Sequence, residues 1–176
     1  PLFIEESYTA SLRVKLSSGE LDAIFVALPF TETDTVTRTL FDESFVVLLP
    51  QDHPLTENSH INASSLAEHQ VLLMGEGHCF RDQVLEACPG LQRAIREKYA
   101  KGHTVVEGGS LETLKHMVAS GLGITVLPES AANEATYGNN ALAVRPFESP
   151  APCRSIALAW RVSYPRPEAI DILIDA

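Results

Sequence analysis

Cysteine is scarce in this chain: three among 176 residues, at positions 79, 88 and 153. That is too few for the disulfide framework of a small secreted protein. The scarcity favours a reducing, cytoplasmic setting, where a bond that forms only under oxidation is more at home than a permanent one. Long apolar runs are missing too. None approaches the ~18 residues of a membrane span, so no membrane partner is expected. No charged-then-apolar N-terminus suggests a signal peptide. Basic residues are outnumbered, with 13 Lys and Arg against 23 Asp and Glu and a net charge of −10. Contact with phosphate needs clustered Lys and Arg, so this chain by itself is a poor nucleic-acid binder. There is no internal repeat and no low-complexity tract.

What is present is apolar material, 45% of the residues, enough to bury a core in one domain or two small lobes. Strands are predicted at 2–6 (LFIEE), 23–30, 43–50, 69–74, 103–108, 123–128, 141–147 and 155–161. Helical patterns lie between them. TASLRVKLSS ends at Gly19. SLETLKHMVASG begins at a Ser cap, places Leu111, Leu114 and Val118 on one face, and ends at Gly121. LQRAIREKYAKG repeats the pattern through Leu91, Ile95 and Tyr99 and ends at Gly102. Apolar strands alternating with helices predict a parallel α/β architecture. LFIEE opens without an earlier strand and helix to pair with, so the chain is expected to begin inside a domain.

The chemistry concentrates in GEGHCFRDQVLEAC, residues 75–88. Gly75 and Gly77 break the preceding strand. A helix is predicted from about Phe80 to Ala87, stopped by Pro89 and Gly90. Cys79 then lies at a helix N-terminus, where backbone N–H groups and the positive dipole end stabilise a thiolate. His78 and Arg81 add positive charge or donors, and Asp82 opposes them. An accessible thiolate is what attacks a peroxide. Nine helical residues turn the chain about 900° and raise it ~13.5 Å. Cys79 falls on the stripe of Asp82, Gln83 and Glu86, and Cys88 on that of Phe80, Val84 and Leu85. A disulfide needs Cα atoms roughly 4.4–6.8 Å apart, so the two cannot bridge while the helix is intact. A bridge would force refolding, which is what a switch requires. On the residues alone, two buried small hydrophobes remain an open alternative. A metal site has little support, because there is no CxxC and His78 directly beside Cys79 is poor ligand spacing. The remaining histidines (53, 60, 69, 103, 116) read as solvated or in loops, and Cys153 as a loop thiol without a role.

The same segment resembles the redox segment of the hydrogen-peroxide-sensing LysR-type transcriptional regulators: Gly-His-Cys, Arg-Asp-Gln and a second Cys nine residues on. GSLETLKHMVASGLGITVLP, SSGELDAIFVALP and RSIALAWR resemble effector-domain segments shared more widely in the LysR family, and the likeness covers nearly the whole chain. The resemblance implies an α/β, two-lobed, periplasmic-binding-protein-like effector domain with two crossing segments. One lobe would hold 1–42 and 156–176, the other 43–155 with the redox cysteines. The family's winged helix-turn-helix DNA-binding domain is expected to lie outside these residues. Carried over residue by residue, Cys79 matches the peroxidatic and Cys88 the resolving cysteine. Thr9, His78, Asp82 and Arg154 match residues of the peroxide pocket, expected between the lobes. The stretch from Pro89 to Gly102 is longer than the family pattern, so nothing between Cys88 and Thr104 is carried over.

The function so implied is a regulatory switch, not an enzyme, with no cofactor and no metal. Hydrogen peroxide would oxidise Cys79, Cys88 would close a reversible disulfide, and the altered domain would control activation of antioxidant genes. Implied partners are a second copy in a homodimer or tetramer, promoter DNA through the DNA-binding domain, RNA polymerase, and thioredoxin- or glutaredoxin-type reductants. Two rivals differ in kind. One is a metabolite-sensing LysR effector domain with incidental cysteines, its ligand carboxylate at the helix opened by Ser110. The other is a thiol peroxidase.

Overall fold

The computed structural model describes residues 2–100, 105–132 and 141–175. The expected helix stop at Gly102 and the first residues of the strand expected from His103 lie outside them. The chain divides into two compact units, Pro1–Asp42 with Arg154–Ala176, and Glu43–Cys153. Among the described residues no helix is long and apolar enough to cross a membrane.

In the first unit, α1 (Thr9–Ser18) ends where Gly19 takes a left-handed conformation, as a C-terminal glycine does at little steric cost. Strand β1 (Ala23–Ala27) pairs antiparallel with β7 (Cys153–Arg161), aligning Ile24 with Ala159 and Val26 with Ala157. Leu16, Ile24, Val26, Phe30 and Ala159 form this unit's core. The Arg161 guanidinium donates to the carbonyls of Leu16 and Leu21, tying the end of α1 to the sheet. A helix at the chain's end, α5 (Pro167–Ile174), starts with proline at its first position and buries Ile170.

The second unit is built on a mixed sheet. Strand β2 (Thr35–Pro50), whose residues from 43 onward belong here, pairs antiparallel with both β5 (Ile124–Pro128) and β6 (Leu142–Pro146). Strand β3 (Val71–Met74) runs parallel to β5 and to the short β4 (Glu107–Gly108). The parallel sheet expected from the alternation is thus confined to β3, β4 and β5. Strands β2 and β6 add antiparallel pairs to it. Phe45, Val47, Leu48, Leu49, Leu66, Leu72 and Leu127 are almost wholly buried. Burial of each such side chain contributes roughly 1.5–3 kcal/mol.

Helix α4 (Leu111–Ala119) packs on β3 and β5 with Leu114 and Val118 inward. A Cβ at Gly108 would lie 2.8 Å from Leu114 Cδ2, so only glycine lets the strand approach this helix so closely. Two expectations fail here and at the start of the chain. LFIEE forms no strand; Leu2, Phe3 and Ile4 are 73–80% exposed, and no neighbouring strand accepts their backbone. Strand β2 starts at Thr35, eight residues before the apolar run that announced it.

Candidate functional site

Helix α2 (Cys79–Ala87) follows β3 after a turn at Gly75–Gly77. Gly77 has φ +89°, a left-handed value that side chains disfavour, and it delivers His78 as the helix N-cap. The helix begins at Cys79 itself, one residue earlier than expected. It ends at Ala87, as expected, but Pro89 and Gly90 open a second helix instead of a loop. Cys88 caps it, its N–H donating to Val84 O at 3.0 Å, and α3 (Pro89–Ala100) begins at once. Proline at a first helical position starts the second helix because its missing N–H is not needed there.

All three cysteines are thiols, and they differ in surroundings. Cys79 is exposed. Cys88 is 1% exposed and shares the core with Phe80 and Val84. Burial pushes the Cys88 thiol up to about 11, so on the order of one molecule in ten thousand carries a thiolate there at pH 7. Phe80 packs edge-on against Phe45, ring centroids 5.4 Å apart. His78 is half-buried, and Asp82 is exposed in the first turn of α2. Gln83, one turn beyond Cys79 on the same stripe, has a buried Oε1 with no hydrogen-bond partner among the described residues. Cys153 is exposed as the first residue of β7, not in a loop.

Of the residues expected to serve the site, His78, Cys79 and Asp82 are brought together at one end of α2, and Cys88 sits at the other. Thr9 and Arg154 belong to the first unit, Thr9 as the first residue of α1 and Arg154 half-buried on β7. Arg81 corrects an expectation. Its position two residues after Cys79 predicts a source of positive charge or donors beside the thiol. Instead its side chain is 7% exposed and turned inward. Nη1 donates to Met74 O at 2.9 Å and to Glu107 Oε1 at 2.5 Å, and Nη2 reaches Tyr99 Oη at 3.4 Å. The helical wheel holds the signal: Arg81 lies about 20° from Cys88 and about 160° from Cys79. Tyr99, expected on an apolar face, is 46% exposed and donates its hydroxyl to Glu107 Oε1 at 3.0 Å.

Two of the histidines expected on solvated surface or in loops lie outside helices and strands and are in contact. The rings of His53 and His69 lie 5.2 Å apart, and His53 Nδ1 accepts the Leu55 N–H. At the start of α4, Ser110 Oγ accepts the Thr113 N–H at 3.1 Å, and Glu112 stands in the first turn. An acidic side chain there opposes the carboxylate ligand that a metabolite sensor would bind at this helix end. Two open clefts on this unit, one lined by Leu55, His60 and Glu148 and the other by Pro50, Asp52 and Ser120, include no cysteine.

These features, a helix with one exposed and one buried thiol set on a mixed α/β sheet, define a class that sequence comparison makes specific. Residues 2–176 match the LysR substrate binding domain, and the chain belongs to that family. Among curated relatives, the probable hydrogen peroxide-inducible genes activator of Streptomyces viridosporus is 39% identical over 166 residues, 94% of this chain and 51% of the relative. The chain thus spans about half the length of the curated relatives it matches. Among solved structures, the reduced OxyR regulatory domain of Pseudomonas aeruginosa is 54% identical with a TM-score of 0.87, covering 99% of this chain and 81% of that one. The reduced OxyR of N. meningitidis is 41% identical with a TM-score of 0.91, covering 99% and 79%.

Proposed function

We propose that this chain is the peroxide-sensing regulatory domain of a LysR-type transcriptional activator, with Cys79 as the reacting thiol and Cys88 as its partner. The observation that carries the reading is the contrast between the two sulfurs on one nine-residue helix: Cys79 exposed at the N-terminus, Cys88 buried beyond the last turn. The relatives' name, hydrogen peroxide-inducible genes activator, supports the same assignment.

The Cys79 thiolate attacks one peroxide oxygen. The O–O bond breaks, hydroxide leaves and takes up a proton as water, and Cys79 becomes a sulfenic acid. The N–H groups opening α2 stabilise negative charge at the sulfur, and His78 supplies a polar neighbour. Thr9 and Arg154 are assigned to peroxide reactivity on their match to the family pattern, as is Asp82. Cys88 then attacks the Cys79 sulfur, the S–O bond breaks and a second water leaves. Two thiols have been oxidised and one peroxide reduced.

Helix α2 holds its ends about 13.5 Å apart and a disulfide allows at most about 6.8 Å between Cα atoms, so closure dismantles the helix. That change is the signal. It passes to the rest of a longer protein: a second copy in a dimer or tetramer, a DNA-binding domain at promoters, and RNA polymerase. Thiol reductants of the thioredoxin or glutaredoxin type return the pair to thiols. The test is a titration of thiols against stoichiometric hydrogen peroxide. A sensor loses two thiols once and stays oxidised until reductant is added. Slow, unpaired loss would point to incidental cysteines, and rapid cycling with reductant to a peroxidase.

A further inference from the structure

We infer that Tyr99 and Glu107, acting through Arg81, form a brace that holds the dithiol state and sets how readily Cys79 and Cys88 are joined. The inference rests on the reading of those two thiols as a switching pair and adds to it the residues that oppose the switch.

Arg81 lies between the two cysteines in sequence, and its guanidinium is buried. A buried guanidinium must be paired and hydrogen-bonded to be tolerated. None of its partners belongs to α2. Met74 O ends β3, Glu107 opens β4, and Tyr99 lies in the last turn of α3. Tyr99 also donates to Glu107, closing a triangle of side chains. Burial works against the Arg81 charge, yet Tyr99 and Glu107 outweigh it and raise the guanidinium's affinity for its proton. The brace therefore ties α2 to three other elements through one side chain.

Closing a bond between residues 79 and 88 draws their Cα atoms from about 13.5 Å to within about 6.8 Å, and the backbone of Arg81 cannot keep its place. The guanidinium leaves Met74 O, Glu107 and Tyr99. Tyr99 is carried on the helix that begins one residue after Cys88, so α3 loses a tether at the moment α2 is lost. The brace exists only in the dithiol state. It therefore shifts the thiol–disulfide equilibrium toward thiols, without touching the sulfur that meets peroxide.

The test is the equilibrium of the 176-residue chain with glutathione disulfide. Two protein thiols give up two electrons and two protons, the glutathione S–S bond breaks, and two glutathione thiols form. Glu107→Gln removes the charge and is expected to raise the equilibrium constant for the protein disulfide about tenfold, a potential about 30 mV more negative. Tyr99→Phe removes one hydroxyl from a partly exposed ring, leaves the fold intact, and is expected to raise it about threefold. The rate of the first step with hydrogen peroxide should be unchanged in both. Glu112→Gln, which breaks the Glu112–Lys115 pair on α4, is the matched control and should leave the equilibrium where it was. A wild type that forms the bond, with both variants at the wild-type equilibrium constant or with Glu112→Gln shifted as far as they are, would overturn the brace alone. A wild type that never forms the bond would overturn the switching pair and the brace together.

Discussion

The two ends of α2 are nine residues apart and have opposite surroundings. At the N-terminal end, Cys79 is exposed among the first N–H groups of a helix, with His78 and Asp82 beside it. At the C-terminal end, Cys88 is buried among Phe80, Val84 and the sheet, and its proton is held up to about 11. On the proposed reading, the difference separates reactivity from response along one helix. The exposed sulfur would meet the oxidant, and the buried one would react only once its surroundings open. Because the helix itself keeps them apart, chemistry at the first end would become structural change only through the second.

The comparison breaks most visibly at Cys79. Cys79→Ser is expected to slow peroxide consumption by roughly a thousandfold or more, since a serine hydroxyl does not supply the thiolate nucleophile. Stopped-flow loss of hydrogen peroxide measures it. A fast phase surviving in this variant would move the reacting thiol elsewhere.

Removing the other sulfur separates the two roles. In Cys88→Ser the first step should stay fast and a sulfenic acid should accumulate, trapped by a dimedone-type reagent. Amide exchange over residues 78–90 should lose protection after peroxide in wild type and keep most of it in the variant. The sulfenic acid adds one hydrogen bond, about 0.5–1.5 kcal/mol. Unpacking Phe80 and Val84 costs roughly 1.5–3 kcal/mol each. Equal loss of protection in both proteins would show that oxidation of Cys79 alone throws the switch.

A pH scan sharpens the contrast at the buried end. The folded state holds the Cys88 proton to about 11, above the ordinary thiol value of 9.0. Between those values the folded chain binds more protons than the unfolded chain, so stability falls as pH rises. The contribution is full below pH 9 and gone above 11. Urea midpoints at pH 8 and pH 11 should therefore differ more for wild type than for Cys88→Ala, which has nothing to titrate. Parallel slopes would mean that Cys88 is less shielded than its burial implies.

How much of this was legible in the sequence follows from where the information lies. The opposed placement of Cys79 and Cys88 needs only the 100° step of a helix, so local spacing gave it. The inward turn of Arg81 was equally available from the wheel, but its partner Glu107 is 26 residues away and no local pattern announces the pairing. Tyr99 satisfied the apolar spacing of α3 while its hydroxyl belongs to a polar triangle, a dual use that periodicity does not register. LFIEE has strand-forming residues but pairs with no strand among the described residues, and a strand is a property of pairs. Residues 35–42 show the converse, exposed positions drawn into β2 by backbone pairing without an apolar signal. His53 and His69 meet across 16 residues of irregular chain, which spacing does not foretell.

The smallest expected effect asks whether the reactive end of α2 works alone. Thr9 lies in the first unit and enters the reading through its match to a family pocket threonine. It opens α1 with Tyr8 as the N-cap residue. Thr9→Val keeps the branched shape, and threonine and valine have similar helix propensities, so α1 should persist. Only a hydroxyl is lost. If that hydroxyl orients peroxide in the transition state, one hydrogen bond of about 0.5–1.5 kcal/mol disappears, and the first step should slow by about two- to tenfold. The thiol–disulfide equilibrium should not move, because Thr9 is no part of the helix that the bond dismantles. Those two readouts separate orientation from a general loosening of the fold, which would move both. An unchanged rate would take Thr9 out of the site and leave the reactivity of Cys79 to its own end of α2. A rate loss beyond about a hundredfold would mean the opposite, that the asymmetry between the two cysteines depends on the first unit as much as on the helix that carries them.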